Sequence, residues 1–119
     1  VAFTGHPTLD EPRWLLNAQV GHLDVVSAEA GVTPERILVQ MDGSNVVALQ
    51  RLDASSELPN GLVLDDPTAI ELAELLARIR SVYPLDEPVP DGAEVLLDTE
   101  WKVLSDGQLI IKQVRPFLK

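Results

Sequence analysis

A chain of 119 residues with a formal charge of −10 and a pI near 4.4 is long enough for one domain with a single core. That charge argues against nucleic acid and anionic membranes as partners, because no cationic surface is available to release counterions. Zero cysteines exclude a disulfide framework, a thiol nucleophile and a thiolate metal site, and aromatics at 4 % leave the core to Leu, Val, Ile and Ala.

No run approaches the ~18 apolar residues of a membrane span, and no signal peptide is visible. Together with the absence of cysteine this predicts a cytoplasmic location. The opening "VAFTGHP" lacks Met and starts within an apolar run, which predicts a piece of something larger. "VAFT" reads as a short strand closed by Gly5 and Pro7, and "HPTLDEP" as a loop. "RWLLNAQV" has the composition of a buried strand ended by Gly21, and "LDVVSA" that of a further short strand. "EAGVTPE" is a turn-rich link, since the residue before Pro34 is pushed toward extended geometry. "RILVQMDGSNVVALQRL" has the outline of a β-hairpin around Asp42-Gly43, and "DASSELPNGLVL" of a loop with a short strand after Gly61.

The principal helix is predicted over 67–83, within "DDPTAIELAELLARIRSVYP". Asp66 is suited to the N-cap and Pro67 to the first helical position, where its missing N–H costs nothing. Leu72, Leu76, Ile79 and Tyr83 recur with helical spacing and form one face for packing on a sheet. Glu71 and Glu74 come early and Arg78 and Arg80 late, in keeping with the helix dipole. Pro84 stops the helix. "PLDEPVPDG" then reads as a stiff connector rather than a domain boundary, because the residues beyond it are too few for a second core.

"VLLDTEWKVL" and "QLIIKQV" are two β-type runs joined through "SDG". A two-residue turn at Asp106-Gly107 would put Ser105 opposite Gln108, Glu100 opposite Gln113, and Asp98 opposite Arg115. Alternation then places Trp101, Val103, Ile110 and Val114 on one face. Glu100, Lys102, Asp98, Gln113 and Arg115 take the other, with Leu104, Leu109 and Ile111. Opposed side chains start from Cβ atoms ~4.5–5.5 Å apart, so Glu100 and Gln113 present two hard oxygen ligands of the kind that Mg²⁺ accepts beside water and phosphate. Arg115 can hold a phosphoryl oxygen with its planar fork. That is the electrostatic equipment of phosphoryl transfer, with no nucleophile or general base required. The same residues also suit an ordinary solvated hairpin face with an Asp98–Arg115 ion pair. A three-residue turn would shift the register by one and separate Glu100 from Gln113.

"LLDTEWKVLSDGQLIIKQVRPF" resembles the C-terminal end of the ATP-binding domain of the pyruvate phosphate dikinase and phosphoenolpyruvate synthase family, with its D-I-E-W, a turn containing Gly, and a closing Q-x-R-P. "VAFTGHP" is similar to the family's G-V-x-F-T-x-x-P, and "NAQVGHLDVVSAEAGVTPE" to its A-x-x-G-L-G-E-x-V-V-x-G followed by Pro-Asp. The three segments occur in the family's order over nearly the whole chain. Departures are Leu23 where the second glycine of G-L-G-E stands, Thr99 for Ile, and Pro34-Glu35 for Pro-Asp.

The resemblance implies an α+β fold: a mostly antiparallel sheet with one principal helix at 67–83, forming residues 1–119 of a partial ATP-grasp domain. It implies ATP and Mg as ligands, with Glu100 and Gln113 as metal-binding residues and Arg115 and Thr4 as phosphate contacts. The implied activity moves a phosphoryl group from ATP to a histidine on another domain. The partners it implies are the upstream half of the ATP-grasp domain and the phosphohistidine domain. His6 and His22 match no phosphorylatable motif, no catalytic residue is assigned, and the chain alone is expected to turn over nothing. A cut surface of this kind predicts self-association at high concentration. Two other readings stand beside this one: a non-catalytic ATP-grasp-like regulatory or interaction module, and an acidic protein-binding domain unrelated to nucleotides.

Overall fold

The computed structural model describes residues 1–5, 8, 12–19, 34–55, 61–83 and 95–118. Within them are six strands and one helix: β1 (Ala2–Phe3), β2 (Trp14–Ala18), β3 (Glu35–Asp42), β4 (Asn45–Asp53), α1 (Asp66–Val82), β5 (Val95–Val103) and β6 (Leu109–Leu118). The strands form one sheet in the order β4-β3-β2-β1-β5-β6, and every neighbouring pair is antiparallel. The architecture is therefore α+β, mostly sheet, with a single helix. The expected "LDVVSA" strand, the link after it and the Pro-rich connector lie outside the described residues.

Alternation along the strands decides which face the helix covers. Ala2, Leu16, Ala18, Ile37 and Val39 project to one side and meet Ala69, Leu72, Ala73, Leu76 and Ala77 of α1 in one buried cluster. The helical stripe is thus built from pairs of Leu and Ala at i, i+3 and i+4. The alanines let the helix approach the sheet closely, while Ile79 packs at the margin. Full burial of Leu72 or Leu76 contributes about 1.5–3 kcal/mol each.

The helix starts one residue earlier than the expected cap at Asp66. Asp65 is the N-cap, and its Oδ1 accepts the Thr68 N–H at 2.9 Å. Asp66 lies in the first turn, where its carboxylate accepts from Arg51 of β4 at 2.6 Å. Two adjacent aspartates look alike as caps, and a cation from a distant strand separates their roles. Tyr83 caps the other end, its N–H donating to the Ile79 carbonyl.

No strand forms after Gly61. Those residues lead into the helix and are clamped by Glu35, whose buried carboxylate accepts the N–H groups of Val63 and Leu64 at 3.0 Å each. Arg51 approaches the same carboxylate at 3.5 Å. The hairpin expected around Asp42-Gly43 exists, but Asp42 pairs with Asn45, so the turn residues are Gly43 and Ser44. Gly43 takes φ +61, the positive value that the first position of such a turn demands and that glycine adopts without a Cβ clash.

The last hairpin departs from expectation in its turn and then returns to it. The Gly107 N–H donates to the Leu104 carbonyl and the Leu104 N–H to the Gln108 carbonyl, which makes a three-residue turn of Ser105, Asp106 and Gly107. Trp101 consequently faces Ile111, Lys102 faces Ile110 and Val103 faces Leu109. A shift of register between Glu100 and Trp101 then leaves Lys112 as an extra residue on β6. Beyond it Glu100 faces Gln113, and Asp98 faces Arg115. The expected grouping of faces is corrected near the turn: Leu109 and Ile111 join Trp101 on the helix side, packed against the core, and Ile110 shares the opposite face with Lys102.

Candidate functional site

The face of β1, β5 and β6 turned away from α1 carries the charged residues. Glu100 and Gln113 form one directly opposed pair, both exposed, and Asp98 and Arg115 form the next pair on the same face. Phe3 of β1 lies opposite Asp98 on its other side, and its ring meets Phe117 edge-to-face with centroids 5.6 Å apart. Phe3 and Phe117 thus share this face with the ion pair.

Arg115 donates from Nε to Asp98 Oδ2 at 2.9 Å; the aspartate side chain is 7 % exposed and the arginine 58 %. The buried carboxylate therefore holds the stem end of an exposed guanidinium. Asp98 uses only the Nε edge, which leaves the two terminal nitrogens of the fork for another oxyanion. The ordinary cross-strand ion pair and the phosphate-holding role are compatible in one arrangement.

Glu100 and Gln113 together offer one carboxylate and one amide oxygen. Among the described residues there is no group of three or more His, Cys, Asp or Glu side chains able to enclose a metal ion. Two protein oxygens fit Mg²⁺, which keeps most of its shell for water and substrate phosphate, and do not fit a calcium or zinc cage.

Thr4 is separated from the other three site residues. It shares the parity of Ala2 and so lies on the helix side of the sheet, buried, with its Oγ1 accepting the Leu97 N–H at 2.9 Å. It lines a small cavity of about 150 Å³ with Arg80, Tyr83, Val95 and Leu97. Its hydroxyl ties β1 to β5, as does Thr99, whose Oγ1 donates to the Ala2 carbonyl at 2.8 Å. His6, His22 and Leu23 lie outside the described residues.

The feature that sequence reasoning missed is the bulge, and a signal for it was present. In "LIIKQV" the apolar residues that reach the core side are Leu109, Ile111 and Val114. The gap from 111 to 114 is odd, so strict alternation cannot put all three on one face. One extra residue must be absorbed between them. Strand β4 repeats the pattern, with Val46 and Leu49 against the core and a register shift that leaves Val47 exposed.

Comparisons of the chain with protein-family models, with curated proteins and with solved structures find no match. No helix among the described residues is long and apolar enough to cross a membrane.

Proposed function

We propose that this chain is the Mg·ATP-binding portion of a dikinase-type phosphotransferase, the C-terminal part of an ATP-grasp domain that passes a phosphoryl group from ATP to a histidine on another domain in the cytoplasm. The observation that carries the reading is the registration of the last hairpin. Despite a turn one residue longer than the pairing requires, Glu100 faces Gln113 and Arg115 stands two residues on, all three exposed on the face turned away from α1. Magnesium bound there would neutralise phosphate charge, with Glu100 and Gln113 as its protein ligands. Arg115, steadied by Asp98, would hold a phosphate oxygen through its terminal nitrogens. Nothing in this arrangement breaks a bond by itself. The transfer depends on the upstream half of the domain and on the histidine-bearing domain, and the chain alone turns over nothing.

A second reading, a non-catalytic module that keeps the fold, draws on the Asp98–Arg115 contact, which is complete without a ligand. One experiment separates the two. Mg·ATP is titrated into the full-length protein carrying this chain, as wild type and as Glu100→Gln, Gln113→Ala and Arg115→Ala. The phosphotransferase reading expects each substitution to weaken binding by tenfold or more and to abolish phosphohistidine formation. Affinity and phosphohistidine formation untouched in all three variants would overturn the site assignment. No binding to wild type at millimolar Mg·ATP would favour the module.

A further inference from the structure

The bulge that restores the register also changes which cations surround the Glu100–Gln113 pair. Lys112 is the extra residue, exposed and immediately beside Gln113. Lys102 follows Glu100 by two residues on the same strand; because Trp101 between them turns to the core, Lys102 and Glu100 share the face turned away from α1, and both are exposed. Same-face neighbours on a strand are ~7 Å apart, a separation that a lysine stem can cross.

The other described basic residues on strands are already engaged with acids: Arg36 with Asp53, Arg51 with Glu35 and Asp66, and Arg115 with Asp98, while Arg13 donates to Gln50. Lys102 and Lys112 form no ion pair with any described carboxylate. The hairpin from Val95 to Leu118 carries three basic and three acidic residues, so it is charge-balanced in a chain of net charge −10. Two unengaged ammonium groups therefore flank the acid–amide pair on the side away from Arg115.

We propose that Lys102 and Lys112 are further oxyanion-binding residues of this face, holding one end of a polyphosphate chain whose other end reaches Arg115. Three cations in sequence along the ribbon match an extended row of phosphates better than a single one, and they select against a monophosphate. The bulge then has two consequences: it keeps Gln113 opposite Glu100, and it inserts an ammonium group beside them. Lysine on an edge strand also discourages edge-to-edge pairing, but Lys102 belongs to β5, which is not at the edge. The inference rests on the reading above for the identity of the site, while its own contact is with phosphate and needs no nucleotide.

The test uses inorganic tripolyphosphate, without metal and with Mg²⁺, titrated into the full-length protein. The variants are Lys102→Gln/Lys112→Gln, the charge-preserving Lys102→Arg/Lys112→Arg, and Arg78→Gln on the exposed side of the helix as a charge control. The expected result is a tenfold or greater loss of affinity in the Gln pair, retention in the Arg pair and in Arg78→Gln, and inorganic phosphate binding far more weakly than tripolyphosphate. Unchanged affinity in the Gln pair, an equal loss in Arg78→Gln, or no binding of tripolyphosphate to wild type would each overturn it. Lysine-dependent tripolyphosphate binding in a protein that ignores Mg·ATP would uphold these contacts and overturn the nucleotide reading.

Discussion

Glu100 stands directly opposite Gln113 across β5 and β6, although the three-residue turn that joins these strands would by itself place Lys112 there. The bulge at Lys112 absorbs the difference. Without it, Gln113 and Arg115 would turn toward the core and Val114 toward solvent. The cost of burying an amide and a guanidinium without partners is far larger than that of one unpaired backbone residue on an edge strand. Core burial thus sets the register, and the site inherits it.

Deleting Lys112 is expected to leave the Glu100–Gln113 pairing intact, because Ile111 and Gln113 then alternate without interruption. Cross-strand nuclear Overhauser contacts between the backbones at positions 100 and 113 should persist. Their replacement by contacts between 100 and 111 would show that the Trp101–Ile111 pairing depends on the bulge.

Replacing Arg115 by Ala is expected to destabilise the fold by about 1–2 kcal/mol, since the nearly buried Asp98 loses its charged donor while the lost partner was itself mostly exposed. The double variant Asp98→Asn/Arg115→Ala should recover part of that loss. Urea denaturation midpoints provide the measure, and an Arg115→Ala midpoint equal to wild type would show that the ion pair contributes nothing to folding.

Glu35 sits 1 % exposed with both carboxylate oxygens occupied by backbone N–H groups. Glu35→Ala leaves the buried N–H groups of Val63 and Leu64 without their acceptor and removes the carboxylate 3.5 Å from Arg51, and is expected to cost about 2–4 kcal/mol. Glu35→Gln, which keeps one acceptor oxygen, should cost less. Equal stability of all three proteins by chemical denaturation would mean that the residues entering the helix are held by other contacts.

The Asp65 carboxyl is held below its ordinary value of 3.8 by hydrogen bonds from Thr68, side chain first and backbone N–H next, with Arg51 adding to the effect. A group whose folded pKa is depressed stabilises the fold above its unfolded value. Its contribution is lost as the pH falls below 3.8 through the lower folded value. Asp65→Asn should therefore flatten the acid limb of the stability profile in that window and leave its shape near neutrality unchanged. An identical acid limb in both proteins would remove the cap from the account.

Local pattern made several elements readable. The spacing of Leu72, Leu76, Ile79 and Tyr83 specified a helix and part of its buried face, to which the structure adds Ala69, Ala73 and Ala77 while making Tyr83 the C-cap, and Pro84 marked its end. The glycines at 43 and 107 marked turns because only glycine takes their positive φ without strain. What local pattern left open was position to within one residue. Asp65 and Asp66 are equivalent as caps until Arg51 arrives from β4 to take the second. Turns at Gly43 and Gly107 fit two lengths until the flanking strands are paired.

By itself, then, the sequence determined the fold class, the helix and the two hairpins, and left the register of the last hairpin open between a two-residue turn, which opposes Glu100 to Gln113 and Asp98 to Arg115, and a three-residue turn, which does not. Only the tertiary structure decided that a longer turn and a compensating bulge produce that pairing, that Thr4 lies under the helix rather than beside Arg115, and that Glu35 is buried as a clamp. The reason is physical. Turn propensity and alternation are properties of neighbours along the chain, whereas a bulge, a buried acid and the choice of face follow from what the core must cover, which depends on residues far apart in sequence.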